Sequence, residues 1–537
     1  MKRILSLIFF SVCLCLASAQ QLHYYLNYEM QNRLERYLSG SSGVHTAVKP
    51  YNMSEILKAI PDSALQELGF ITDSTDKFRL GLTKGDFLSV SAKKKKFYFA
   101  LNPIIDAQVG YDVLDKKLKY AVGYGAKFEA NLGRKVSLSF TYQGDFEKMD
   151  NQVTAYAQKY GVLAGYRKAH FGKNGLRSDM MSGYIRFAPN KYVNLELGND
   201  KVFWGDGYRS LFLSDNASNF PYLKMSTQFW RIKYTYLLAG MRSGDTYGFN
   251  TENNYKNFKT KFGSFHYLSV DVAKWMQFGF FESVVWYHAD SLRTRGMEIS
   301  YLIPLAFLRP IEYALGSPDN VSFGISMKFN PNDKQHIYTQ ILFDDMDVRA
   351  ARAGKGFYRT KIAAQIGYKA FDIFKLKHLD FQTELNIVRP YVYAHKSPQQ
   401  NYANFNQSLA HPAGANFMES LVFVNYWYKH WTANLKFQYL VQGLDEPFAH
   451  NGSNIFISDY MLGSNLNQAY GKTFLQGVKT RMYSVEARGG YLINPKINLS
   501  TEAFLNFRYR ENKYFKEQNL LFGISLRTNI FNRYTDF

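Results

Sequence analysis

The chain has 537 residues, carries 65 Lys and Arg against 44 Asp and Glu for a formal charge of +21, and is 17% aromatic, with 41 Tyr and 44 Phe. Its only cysteines, Cys13 and Cys15, lie in the first nineteen residues, which excludes disulfide, thiolate and cysteine-ligated metal chemistry from everything downstream. No later run is both apolar enough and long enough to cross a bilayer as a helix, so a membrane location requires strands.

Residues 1–19 combine Lys2 and Arg3, an apolar run from Ile4 to Leu16 and a small-residue site at Ala17-Ser18-Ala19, the pattern of a secretory leader cleaved before Gln20. Its removal lowers +21 by two, to +19. Outside the cytoplasm such an excess favours lipopolysaccharide or acidic glycans over nucleic acid. Residues 20–96 do not alternate. Leu26, Met30, Leu34 and Leu38 repeat at helical spacing, and Ser54 before Glu55 opens a second short helix, so a small, mainly helical periplasmic segment or plug is expected. Lys93 to Lys96 form a solvated basic flank before the first strand.

From residue 97 to 537 the chain alternates. Between Trp431 and Val441 apolar residues fill the odd positions and mostly polar ones the even, and the same beat recurs at Val136–Tyr142, Val321–Phe329, Leu379–Ile387 and Ile497–Tyr509. A soluble sandwich alternates too, but the leader and the aromatic content favour a transmembrane barrel. Strands are predicted at 98–108, 118–131, 134–144, 181–188, 191–203, 227–239, 262–273, 275–287, 320–330, 334–343, 357–369, 377–389, 417–429, 430–442, 477–492, 495–510 and 517–531. That set is odd, whereas bacterial barrels are even. Short turns at Leu132-Gly133, Pro189-Asn190, Lys274, Asn330–Asp333, 370–376, Lys429-His430 and Asn494 change parity between 204 and 261, so one strand is missing there. The expectation is an all-β transmembrane barrel of about 18 antiparallel strands in the bacterial cell outer membrane, with both barrel ends on the periplasmic side. Its outward loops are 145–180, 204–226, 288–319, 344–356, 389–416, 443–476 and 511–516.

The polar parity assigns Arg231, Lys233, Glu282, Lys328, Asp380, Glu384, Lys436, Glu486, Arg488, Glu502, Arg508 and Arg527 to the lumen. Mixed signs suit ion pairs in a plugged barrel better than an open charged eyelet. Asp344, Asp345 and Asp347 read as a solvated rim rather than a Ca²⁺ site, and His395 and His411 lack the spacing of a metal site. No catalytic constellation, metal or cofactor is expected. Two loops carry the chemistry that stacks on sugars and bonds hydroxyls. The first holds Trp204, Asp206, Tyr208, Arg209 and Asn216; the second holds Arg389, Tyr391, Asn401, Tyr402, Asn406, His411 and Asn416. Either loop reads equally as an inward-folded plug whose amides satisfy its own backbone.

Trp204-Gly205-Asp206-Gly207, then Ser210-Leu211-Phe212-Leu213-Ser214, Ala217 and Phe220-Pro221, resembles the signature of the Wzi family of capsule-assembly outer-membrane proteins. Phe307–Tyr313 with Gly316–Asn320, and Leu409–Pro412 with Gly414–Asn416, look like its gliding-motility branch, which includes RemB. The resemblance covers most of residues 20–440. It implies an 18-stranded barrel, loops folded into the lumen, and lectin-like, non-enzymatic retention of surface polysaccharide. Asp206 stands where the family more often has proline, which disfavours strongly acidic ligands at that loop. Past Ile530 the tail to Phe537 falls out of register, although an aromatic end suits barrel assembly. The partners expected are outer-membrane lipid or lipopolysaccharide, surface polysaccharide and an outer-membrane protein complex. The alternatives are a component of a gliding or secretion assembly that binds protein partners, a porin-like channel and, last, a hydrolase.

Overall fold

The computed structural model describes residues 22–38, 43–68, 78–83, 85–92, 97–148, 151–173, 175–244, 258–289, 294–302, 319–344, 347–462 and 466–537. The leader, Lys93–Lys96, Asp345 and the Phe307–Tyr313 motif lie outside them.

Eighteen antiparallel strands close one barrel among the described residues: β1 Phe97–Asp112, β2 Lys117–Leu132, β3 Val136–Lys148, β4 Gly175–Phe187, β5 Val193–Asp200, β6 Phe220–Phe229, β7 Ile232–Ser243, β8 Lys259–Ala273, β9 Met276–Tyr287, β10 Asn320–Asn332, β11 Gln335–Asp344, β12 Ile362–Ala370, β13 Leu379–Val388, β14 Phe417–Tyr428, β15 Trp431–Leu444, β16 Val478–Asn494, β17 Leu499–Glu511 and β18 Lys516–Arg527. Each strand pairs with its neighbours in sequence, and β18 returns to β1 through Leu521↔Asp112 to Arg527↔Asp106. Closure leaves no edge strand among the eighteen, the condition for a sheet in hydrocarbon, where an unpaired backbone group costs several kcal/mol.

The missing strand is β6, inside the predicted window. The strand expected at 227–239 is the join of β6 and β7, which turn at Trp230-Arg231 with Trp230 at φ 55°. No Gly, Pro or Asn marks that reversal, and β6 itself was hidden by Pro221 and the amide-rich loop before it. Arg231 accordingly sits exposed at the turn rather than in the lumen. The connections between β2 and β3, β4 and β5, and so on to β16 and β17 are short, and most of those at the other end are long, which puts both ends of the barrel at the short-turn end. Two short strands, Phe78–Leu80 and Leu88–Ala92, prolong the wall below β18 by pairing with each other and with β1, although residues 20–96 show no alternation.

The outward face is apolar. Trp431, Ala433, Leu435 and Phe437 face out while Thr432 and Gln438 are buried inside. Trp230, Trp275, Trp431, Tyr428 and Phe229 stand exposed at the short-turn end, and Tyr439, Tyr483 and Tyr509 form one row across β15–β17 nearer the other. Eight residues separate Trp431 from Tyr439, roughly 27 Å along a strand or about 20 Å along the axis at a tilt of about 40°, close to the belt of an outer-membrane barrel.

The lumen is filled by the chain itself. Helix α1 (Tyr28–Leu38) buries Met30, Leu34 and Leu38 against Tyr51, Ile56 and Ile60 beside α2 (Met53–Ala59) and α3 (Asp62–Glu67). Its polar side binds the wall: Glu35 meets Lys369 of β12, Arg36 meets Asp380 of β13 at 3.5 Å, and Glu55 of α2 meets Lys233 of β7 at 3.0 Å. The expected helical segment therefore packs against the inner face of the wall. At the other end α4 (Asn151–Tyr160) packs Val153 and Ala157 on Leu163 and Tyr166.

Candidate functional site

The loop 201–219 dips inward and is held on both sides. Phe203 and Trp204 pair backbone to backbone with Lys49 and Val48 of the plug, and Gly205 N–H donates to Ala47 C=O at 2.8 Å. Its far side meets the loop 389–416: Ser214 N–H donates to Leu409 C=O at 2.7 Å, Asn216 Nδ2 to Ser408 C=O at 2.9 Å, and the Tyr402 and Tyr393 hydroxyls to Phe212 and Leu211 C=O at 2.7 and 2.9 Å. The two loops that the composition singled out thus form one body, as the plug reading requires.

Trp204 is fully buried against Tyr267 and Phe281, with Leu211, Phe212 and Leu213 beside it. Asn401 takes two hydrogen bonds from Lys261 Nζ, at 2.7 Å on its carbonyl and 2.9 Å on Oδ1. Asn406 Nδ2 donates to Tyr160 C=O at 3.1 Å, and Asn416 Nδ2 to Gly443 and Gln476 C=O at 2.7 and 2.9 Å. Tyr391 donates to His450 C=O at 2.9 Å, and Arg389 Nε to Thr360 C=O at 3.0 Å. Asp206 accepts from Thr46, which also bonds Lys328. Trp204, Tyr391, Tyr402, Asn216, Asn401, Asn406 and Asn416 are therefore unavailable to a glycan outside: their aromatic faces and amides are spent on the plug. Tyr208, Asp206 and Arg389 keep partial exposure.

The centre of the body is an ion cluster that joins four parts of the chain. Arg209 grips Glu419 of β14 with Nη2 on Oε1 at 2.9 Å and Nε on Oε2 at 3.3 Å, and lies 3.0 Å from Asp536. Glu419 Oε2 also receives His411 Nε2 at 2.6 Å. Glu384 of β13 accepts the backbone N–H of Tyr208 and Arg209 at 2.8 and 3.1 Å. Burial works against the charge on Arg209, but Asp536 and Glu419 outweigh it and raise its pKa. Burial holds His411 below its ordinary value despite Glu419, so the ring donates as a neutral imidazole. Asp536 is buried too, yet Arg209 and Lys436 keep it well below the usual carboxylate range.

Residues 528–537 explain their lost register by leaving the wall and entering the lumen. Arg533 binds Asp145 and Glu147 of β3 at 2.9 and 2.5 Å, Tyr534 donates to Asp215 at 2.8 Å, and Arg508 donates to Thr535 C=O at 2.7 Å. Phe537 rests on Tyr156 of α4 at 4.5 Å rather than on the barrel wall. Asp344 likewise is no rim residue. It is fully buried, takes Ser322 Oγ at 3.0 Å and Tyr393 N–H at 2.7 Å, and Asp347 caps the short helix Val348–Arg352. No group of three metal-ligating side chains occurs among the described residues. The lumenal charges Lys233, Lys328, Asp380, Lys436, Glu486, Arg488, Glu502 and Arg527 all have partners inside. Glu419 and Asp536 were missed as members of the cluster because only long-range folding brings them to Arg209.

No protein-family model matches the chain, and no curated protein matches it by sequence. Among solved structures its fold is similar to that of OprD of Pseudomonas aeruginosa (9% identity, TM-score 0.40, over 80% of this chain and 94% of that one) and of a BenF-like porin of Pseudomonas fluorescens (8%, 0.42, 80% and 98%). It is also similar to Wzi, an outer-membrane protein involved in group 1 capsule assembly in Escherichia coli and described as a carbohydrate-binding β-barrel, at 11% identity and TM-score 0.54 over 95% of this chain and 99% of Wzi. The closed wall, its apolar belt and this likeness make the chain an outer-membrane β-barrel of the Wzi-like fold.

Proposed function

We propose that the barrel retains surface polysaccharide at its loop mouth, without cleaving it. What carries the reading is the set of aromatic and cationic side chains left exposed at the long-loop end once the lumen is packed. Lys396 Nζ stands 4.2 Å from the centre of the Tyr460 ring, and Lys513 Nζ 4.8 Å from that of Tyr514. Tyr470 lies 5.1 Å from Phe357, where the loops after β11 and β15 lock together through Gly471 N–H to Lys355 C=O and Lys472 N–H to Gly356 C=O, each at 2.9 Å. Arg352 and Lys355 are exposed beside them. Exposed rings stack on sugar faces and the cations meet acidic groups. The fold shared with Wzi, a protein described as carbohydrate-binding, supports the same reading.

The resemblance to the Wzi family favours capsule assembly as the setting; the motifs like those of RemB keep a gliding or secretion assembly with protein partners as the alternative. The test is retention of the cell's own surface polysaccharide by purified protein. A Lys396→Ala, Tyr460→Ala, Tyr470→Ala variant loses about tenfold or more, since three contacts of about 0.5–1 kcal/mol each are removed. Retention unchanged in that variant refutes the assignment.

A further inference from the structure

A second, smaller site lies in the half of the lumen nearer the short turns. Between α1, the tail and the wall of β14–β17 is a cavity of about 160 Å³. That is the share of about five waters in the liquid, room for one sugar ring and not for a chain. One side is an aromatic corner. Tyr28 stands edge-on to Tyr208 at 5.1 Å and tilts against Phe423 at 4.9 Å, and Tyr208 lies 4.8 Å from Phe423.

The cations around the cavity are neutralised within the protein. Lys436 lies on Glu486 and Asp536 at 2.8 and 3.1 Å, Arg488 on Glu486 and Glu502 at 2.6 and 3.4 Å, and Arg527 on Asp106 at 2.9 Å. The groups left over are neutral. The Asn434 and Asn506 amides and the Tyr208 hydroxyl make no hydrogen bond among the described residues, and Asn506 Oδ1 is closed off from solvent without a partner. A buried amide oxygen in that state gains from a ligand that donates to it. Glu29 of α1 also lines the cavity, with its nearest cation, Arg33, 4.0 Å away.

We propose that this cavity binds one uncharged sugar unit: the aromatic corner takes the C–H face of the ring, Asn434, Asn506 and the Tyr208 hydroxyl bond its hydroxyls, and Glu29 rejects acidic sugars. The inference rests on the polysaccharide reading for its class of ligand and places a second contact at the opposite end of the barrel from the mouth. It also gives Tyr208, alone among the aromatic residues of the two loops, a hydroxyl free for a ligand.

The experiment is saturation-transfer NMR on the full chain in detergent, with glucose, galactose, mannose and, as the charged control, glucuronate. Transfer to at least one neutral hexose is expected, weaker transfer to glucuronate, and a loss of fivefold or more in Asn434→Leu and in Asn506→Leu, each checked for the heat-modifiable gel migration of a folded barrel. No transfer to any hexose in the unaltered protein overturns the site, as does transfer that neither variant changes. The same preparations are assayed for polysaccharide retention. Retention without hexose transfer removes the lumenal site and leaves the mouth reading standing; hexose transfer without retention does the reverse.

Discussion

Replacing Arg209 by methionine keeps an unbranched side chain about as long as the arginine stem and removes the guanidinium, the one cation that Glu419 and Asp536 share. Breaking a buried ion pair from one side costs about 3–5 kcal/mol, because the stranded charge keeps its desolvation penalty. Here both carboxylates retain other donors: Glu419 has His411 at 2.6 Å and Gln438 Nε2 at 2.6 Å, and Asp536 has Lys436 at 3.1 Å. The lower end, about 3 kcal/mol, is therefore expected, which is roughly a hundredfold shift in an opening equilibrium. The wall does not depend on this cluster, so the loss is local. Hydrogen exchange followed by mass spectrometry should show peptides from 201–219 and 528–537 exchanging about a hundredfold faster, with β1–β18 unchanged. Adding Glu419→Gln should return part of the loss, since it removes the stranded charge. Unchanged exchange in both peptides, or equal acceleration throughout the barrel, refutes the cluster as the lock of the plug.

Trp204→Ala empties a fully buried site against Tyr267 and Phe281 and should cost about 3–5 kcal/mol of local stability, read by proteolysis of the loop 201–219, while polysaccharide retention per folded molecule stays at the unaltered level. A specific loss of retention would return Trp204 to the glycan site. His23 and His45 of the plug are held by burial at about 4, against 6.5 when unfolded. Each is neutral in the fold and gains a proton more readily out of it, so their contribution is complete above pH 6.5 and is lost as pH falls towards 4, about 3 kcal/mol apiece. Proteolysis of residues 22–68 should rise steeply between pH 6.5 and 4 with the strand signal intact, and a flat profile contradicts the assignment.

The wall was legible because its signal is local. Alternation from Trp431 to Val441 needs only the pleat of one strand, and the parity of short turns placed the missing strand between 204 and 261, where β6 lies. What escaped was a reversal without turn residues at Trp230-Arg231, since φ 55° in a tryptophan carries no compositional mark. The two loops stood out by their aromatics and amides, but the same chemistry serves a glycan or a buried loop backbone, and composition cannot choose between them. The choice is made by partners far along the chain. Glu419 is 210 residues from Arg209, and Asp215 is 319 from Tyr534. The tail's broken register was visible from Ile530 onward, yet its destination depends on Asp145 and Glu147 of β3, which nothing local connects to Arg533.

The helices, loops and tail among the described residues pack inside the wall and leave no open pore through the barrel. Single-channel recording of the purified barrel in a planar bilayer tests this most directly. Little steady current is expected for the unaltered protein and intermittent openings for Arg209→Met; large, stable steps from the unaltered protein would show that the lumen is open.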